Sequence, residues 1–243
     1  MGFLACITSV NPLTLRPSKG VLAMTEIDLN RARFNMVEQQ IRPWEVLDPQ
    51  VLDAMMEVPR EHFVPMGYRN LAFADIAIPL PQGQSMMPPR LEGRLLQALA
   101  LRPSDIVLEI GTGSGFFTAL LARFAKHVYS VESRPELLAE ARERLTALGV
   151  TNVTLEEGDG SKGWSRRGPY DAIVLTGSVP ALVDALPRSL RHGGRLCAVV
   201  GSSPAMAVRL ITRTGEGVYA QQDLFETVLP PLDNAASSLH FQF

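Results

Sequence analysis

Three carboxylates and a run of glycines are the residues of this chain best suited to chemistry. Residues 105–118 read Asp-Ile-Val-Leu-Glu-Ile-Gly-Thr-Gly-Ser-Gly-Phe-Phe-Thr. Gly111, Gly113 and Gly115 alternate with other residues, and backbone without side chains lets a ligand approach closely. The dinucleotide fingerprint is G-x-G-x-x-G, but here Phe116 stands where the last glycine would be, which disfavours a nicotinamide-dependent oxidoreductase. No Lys follows the glycines, which excludes a P-loop. The loop therefore lacks the features expected for a pyrophosphate. Glu109 is the wrong charge for a phosphate and the right one for an ammonium. Glu132 lies roughly 20 residues past the glycines, where an acid accepts from ribose hydroxyls. Asp159, between Gly158 and Gly160, is placed to accept from an adenine amino group.

Adenosine without phosphates, joined to a charged amino-acid tail, describes S-adenosylmethionine (SAM). The pattern E-x-G-x-G-x-G, a later acid, then G-D-G resembles the class I SAM-dependent methyltransferases. That resemblance implies Glu109, Gly111, Thr112, Gly113, Glu132, Asp159 and Gly160 as cofactor-binding residues. Glu109 would face the amino-acid end, Glu132 the ribose and Asp159 the adenine.

Positioning these residues requires alternating strands and helices. Ile106–Ile110 reads as a strand buried on both faces, followed by a helix over Phe116–Phe124. Val128–Val131 and Val153–Leu155 read as the next strands, with an amphipathic helix over Pro135–Leu148 between them, stopped by Gly149. Tyr170–Thr176 and Arg195–Gly201 read as the fourth and fifth strands, with Asp171 as a structural acid. A helix over Leu182–Leu190 is expected between them, ended by the turn at His192-Gly193-Gly194. Val208–Arg213 and Val218–Phe225 read as a hairpin around Gly215–Gly217. Upstream, Thr25–Arg42 reads as a helix with Ile27, Phe34, Val37 and Ile41 on one face, stopped by Pro43. Asp48 and Pro49 read as the cap and first position of a second helix. A long Pro- and Gly-rich segment over residues 78–89 reads as a functional loop, followed by a helix over Leu91–Leu101. The expected fold is α/β: a Rossmann-like, doubly wound, mostly parallel sheet with an N-terminal helical cap and a C-terminal antiparallel hairpin.

Length and composition agree with one catalytic domain and a sizeable core, since 46% of the 243 residues are hydrophobic. A formal net charge of −2 gives no reason to expect a nucleic-acid partner. Cys6 and Cys197 form neither a disulfide framework nor a zinc site, and Cys197 reads as a buried core thiol. No apolar stretch reaches the roughly 18 residues of a membrane span. Residues 1–23 lack a secretory pattern and are expected to be a disordered extension. Residues 24–101 are expected to form the substrate side and 102–243 the SAM-binding domain, in a cytoplasmic protein that is a monomer or dimer.

Further motifs narrow the resemblance. Met36-Val-Glu-Gln-Gln-Ile-Arg42, Val58-Pro-Arg60, Phe63-Val-Pro65, Ala72-Phe-Ala-Asp75, Gly83-Gln84, Val107–Gly115, Gly158-Asp-Gly160 and Gly193-Gly-Arg195 resemble protein-L-isoaspartate O-methyltransferases over roughly residues 30–200. The tail resembles a bacterial subgroup. The resemblance implies transfer of a methyl group from SAM to the carboxylate of isoaspartyl residues in damaged polypeptides. A carboxylate is already ionised at neutral pH, so the site needs alignment rather than a strong base. In the family the loop after Gly-Gln reads Thr-Ile-Ser, and its Ser is the active-site residue. Here the loop reads Ser85-Met86-Met87, so Ser85 keeps a hydroxyl at the Thr position and Met87 replaces the Ser. Ser85 and Asp75 are the candidate catalytic residues. A small-molecule acceptor, or a SAM-binding protein with little turnover, are the competing readings.

Overall fold

A computed structural model describes residues 26–235. The expectations for residues 1–23, for the side chain of Ile27 and for the end of the chain at residues 240–243 lie outside the described residues.

The N-terminal cap opens with α1 (Glu26–Met36), which runs into one π-turn over Val37–Ile41 and a 3₁₀ turn over Arg42–Trp44. The expected apolar face is corrected at Phe34, which is 53% exposed. Leu29, Ala32 and Met36 face the core instead, at helical spacing, and the π-turn then brings Val37 and Ile41 inward. Helix α2 (Pro49–Glu57) is capped by Asp48, whose carboxylate accepts from the Gln50 amide at 2.9 Å. The Pro-rich segment folds back on itself: β1 (Ile78–Pro79) pairs antiparallel with β2 (Ser85–Met86). Helix α3 (Pro89–Leu99) follows.

The remainder alternates as expected through β3 (Ile106–Ile110), α4 (Phe116–Phe124), β4 (His127–Glu132), α5 (Pro135–Ala147), β5 (Val153–Glu157) and β6 (Tyr170–Leu175). Asp171 is structural: its carboxylate accepts from the Ile106 amide at 2.8 Å and pairs with Arg191. The helix expected over Leu182–Leu190 is corrected to the four residues of α6 (Ala185–Arg188). A helix starting at Leu182 would put Pro187 in its interior, where the ring clashes with the preceding turn and a hydrogen bond is lost. Leu190 pairs instead with Tyr170, so His192-Gly193-Gly194 is an irregularity inside β7 (Leu190–Ser202) rather than a helix end. Then β8 (Ala205–Gly215) and β9 (Val218–Glu226) complete the chain of strands.

The seven-stranded sheet has the order β5-β4-β3-β6-β7-β8-β9, parallel through β7 and antiparallel from there on. Alternation along β3 divides the core. Val107 faces a cluster shared with the cap, α3 and α4, while Leu108 and Ile110 face a second cluster with Trp164, Val179 and Leu186. Cys197 lies in the first cluster, and burial pushes its thiol up to about 12. Among the described residues, no helix is long and apolar enough to cross a membrane.

Candidate functional site

A cleft opens at the carboxyl ends of β3, β4, β5 and β6, where the chain's progress across the sheet reverses direction. Open α/β sheets bind their ligands at such a switch point. Gly111 and Gly113 form its floor after β3, Glu132 ends β4, Asp159 and Gly160 follow β5, and Thr176 and Gly177 follow β6. Ser85 reaches it from β2, and residues 229–233 close it from the tail.

Backbone conformation makes the floor. Gly111 has φ +99°, and a Cβ there would collide with the Thr176 hydroxyl. That hydroxyl donates to the Gly111 carbonyl at 2.5 Å and fixes the turn from the neighbouring strand. The Gly113 amide donates to the Glu132 carboxylate at 2.8 Å. Gly160 lies so close to β3 that a Cβ would stand 2.8 Å from the Ile110 side chain.

Of the predicted site residues, Gly111, Gly113, Glu132, Asp159, Gly160 and Ser85 line this one cleft. Glu132 is 6% exposed, and its other oxygen accepts from the Arg134 amide at 3.1 Å. Asp159 accepts from the Ser161 amide at 2.9 Å. Thr112 sits behind the floor, where its hydroxyl meets Ser130 at 2.6 Å. It lines a smaller chamber shared with Ser85, Met86, Met87 and Glu92.

Two expectations need correction. Glu109 does not line the cleft. Strand alternation turns it toward α4, where it is wholly buried and one carboxylate oxygen accepts from Thr118 at 2.5 Å and from Ser130 at 2.6 Å. Its second oxygen is buried with no partner among the described residues. Burial pushes this carboxyl up to about 8, against the pull of the two hydroxyls. Asp75 does not line the cleft either. It pairs with Arg90, whose guanidinium stacks 4.3 Å from the Trp44 ring centroid. The other Asp75 carboxylate oxygen is buried with no partner among the described residues.

The lining suits an adenosine compound without phosphates. Its charged residues are Glu132, Asp159 and Asp233, with no Lys, Arg or His among them. Ile110, Val131, Leu137 and Leu80 supply apolar walls for a base and ribose. A polyanion would be repelled here, and a sulfonium with an ammonium would be attracted.

Several residues at the site were not singled out from sequence. Ser178 exchanges hydrogen bonds with the tail: its amide donates to the Pro230 carbonyl and its carbonyl accepts from the Leu232 amide, each at 2.9 Å. Leu232 then packs over Gly177 and Gly111. Arg134 donates to Asp233 and to the Gln82 carbonyl, the latter at 2.6 Å. The hydrogen bond from Arg134 to Asp233 holds that carboxyl below its ordinary value. Buried Glu92, paired with buried Arg60, lines the rear chamber, and burial raises its carboxyl to about 7. The Val-Pro-Arg motif was the one signal for Arg60. The tail contacts join residues far apart in the chain, and no local pattern announces them.

Comparison with known proteins agrees with this geometry. The family model for protein-L-isoaspartate(D-aspartate) O-methyltransferase (PCMT) matches residues 31–236. Protein-L-isoaspartate O-methyltransferase 2 of Pelobacter propionicus is 44% identical over 201 residues, 82% of this chain and 89% of that protein. The protein-L-isoaspartate O-methyltransferase of Xanthomonas oryzae pv. oryzae is 39% identical over 220 residues, 90% of this chain and 96% of that one. A solved protein-L-isoaspartate O-methyltransferase superposes with a TM-score of 0.70 at 24% identity, covering 82% of this chain and 65% of the other. A Plasmodium falciparum structure assigned to the same family, in complex with S-adenosyl-L-homocysteine, gives 0.67 at 18% identity, covering 84% and 97%. The two structures speak for the fold. The extent of the sequence matches shows that the chain belongs to the protein-L-isoaspartate(D-aspartate) O-methyltransferase family, enzymes that use SAM as methyl donor.

Proposed function

We propose that the protein methylates the carboxylate of isoaspartyl residues in polypeptides. Glu132 and Asp159 orient the nucleoside, and the floor at Gly111 and Gly113 lets the amino-acid tail lie against backbone. Bound SAM supplies an electrophilic methyl group on a positively charged sulfur. The acceptor carboxylate is already a nucleophile, so the protein's task is to align it and to keep water out. Buried Met86 and Met87 provide an apolar wall beside the chamber.

Ser85 carries the reading. It lines both the cleft and the chamber behind it, and its side chain makes no hydrogen bond to another described residue. A free hydroxyl at this junction is available to donate to an acceptor oxygen, in place of the family's Ser at the position of Met87. Glu109 acts from below. Its bonds to Thr118 and Ser130 tie the first turn of α4 to β4 and so brace the glycine loop.

The test is transfer from labelled SAM to an isoaspartyl peptide and to the same peptide with ordinary Asp. Selective labelling that falls about a hundred-fold in Ser85→Ala, with SAM affinity unchanged, is the expected result. Tight SAM binding without labelling of the isoaspartyl peptide would remove the assignment and turn the search to a small-molecule acceptor.

A further inference from the structure

Arg60 is wholly buried, and its guanidinium touches four separate parts of the molecule. Its Nε donates to the Ala72 carbonyl at 2.9 Å, at the end of the 3₁₀ turn Met66–Leu71. Its Nη1 pairs with the Glu92 carboxylate on α3. Its Nη2 donates to the Met87 carbonyl at 2.7 Å. Its flat face lies 4.7 Å from the ring centroid of Phe116, the first residue of α4 after the glycine loop. Phe116 is itself wedged edge-on against Phe63, at 5.5 Å between centroids.

We infer that Arg60 is a positioning residue for methyl transfer: its guanidinium sets the loop Ser85–Met87 at a fixed distance from the glycine loop. This inference rests on the proposed reading of the cleft and of Ser85. The chemistry of the side chain supports it. A guanidinium is planar and rigid and spreads its donors in a fork, so it holds a carbonyl, a carboxylate and a ring in one fixed arrangement. Lys would supply one compact charge and could not span the same partners. Full burial removes competition from water for these bonds. The Met87 carbonyl is the link that matters, because it belongs to the loop that carries Ser85. Phe116 is the link on the other side, because it directly follows Gly115. Neither link touches the cofactor cleft itself, so the effect of Arg60 should fall on alignment and not on cofactor affinity.

The test compares three proteins. Arg60→Lys keeps a charge to neutralise Glu92. The double variant Arg60→Met with Glu92→Met removes both buried charges at similar volume, a change that folded proteins often tolerate. Each is measured for SAM affinity by calorimetry, for kcat and KM with an isoaspartyl peptide, and for deuterium uptake at residues 84–87. The expected result for the double variant is SAM affinity within about three-fold of the parent, kcat/KM lower by about a hundred-fold, and faster exchange at 84–87. Arg60→Lys is expected to recover part of the turnover. A folded double variant with parental turnover and parental exchange at 84–87 would overturn the inference. So would a loss of SAM affinity and turnover in equal proportion, the mark of a merely structural role. If the parent itself fails to label the peptide, the proposed function falls, and the exchange at 84–87 still decides whether Arg60 fixes the loop.

Discussion

Arg134 and Asp233, 99 positions apart in the chain, meet in a two-point ion pair with N–O distances of 2.8 and 2.9 Å. Arg134 lies two residues past Glu132, and Asp233 lies in the tail that covers the cleft. The same guanidinium donates to the Gln82 carbonyl, and the Gln84 side-chain Nε2 donates to Asp233 at 3.4 Å. One cluster thus joins the nucleoside side, the tail and the loop that leads to Ser85.

Asp233→Asn should loosen this join. The pair is partly exposed, so solvent screening limits its contribution to global stability to about 1 kcal/mol or less. SAM affinity should fall about five-fold, equivalent to roughly 1 kcal/mol. Raising the salt concentration should weaken binding by the parent toward that of the variant. Titration calorimetry at low and high NaCl checks both effects.

Gly111→Ala should be far more damaging. The added methyl group meets the Thr176 hydroxyl, and the backbone already sits at a positive φ. The strain should cost about 1–3 kcal/mol or more, and displacement of the floor should abolish detectable SAM binding. Thermal unfolding and calorimetry read the two consequences separately.

Met87→Ser restores the family's residue type but not its surroundings. Met87 is 4% exposed, and truncating it leaves a cavity. A stability loss of about 2–4 kcal/mol is expected, with no gain in transfer to an isoaspartyl peptide. Denaturant unfolding and a transfer assay decide the matter, and increased turnover would count against Ser85 as the acting hydroxyl.

Glu109 makes stability depend on pH in a definite direction. Its carboxyl is pushed up to about 8 in the folded protein from an ordinary 4.5, by burial. Between those values the folded protein holds a proton that the unfolded chain has lost, so stability falls as pH rises. Glu109→Gln mimics the protonated form and should flatten this slope. The variant should gain on the order of 1–3 kcal/mol relative to the parent between pH 5 and pH 8. Melting temperatures across that range give the answer, and parallel curves would show that Glu109 is ionised in place.

The βαβ core was readable because each of its signals is local. Ile106 to Ile110 is an apolar run broken by the one carboxylate at Glu109, the three glycines stop the strand, and Phe116–Phe124 resumes at helical spacing. Of the nine predicted site residues, six line the cleft, among them Glu132 and Asp159 at or just past strand ends. The reading failed where a contact overrides the pattern. Apolar residues from Leu182 to Leu190 suggested a helix, but Pro187 and the pairing of Leu190 with Tyr170 leave only Ala185–Arg188. The Glu109 reading failed because the motif gives the residue type, while strand alternation decides which face it meets. Arg134 and Asp233 were invisible for a further reason: each is an ordinary surface-type residue until the tail brings them together.

The roof formed by residues 229–233 also fixes an order of events during synthesis. The glycine loop and all seven strands of the sheet precede it in the chain. A nascent polypeptide halted after Glu226 would carry the whole sheet, the glycine floor and Ser85, and would still lack the wall made by Leu232 and Asp233. Translation therefore completes the cleft last: Glu132, Asp159 and the glycine floor stand in the chain before the segment that closes over them.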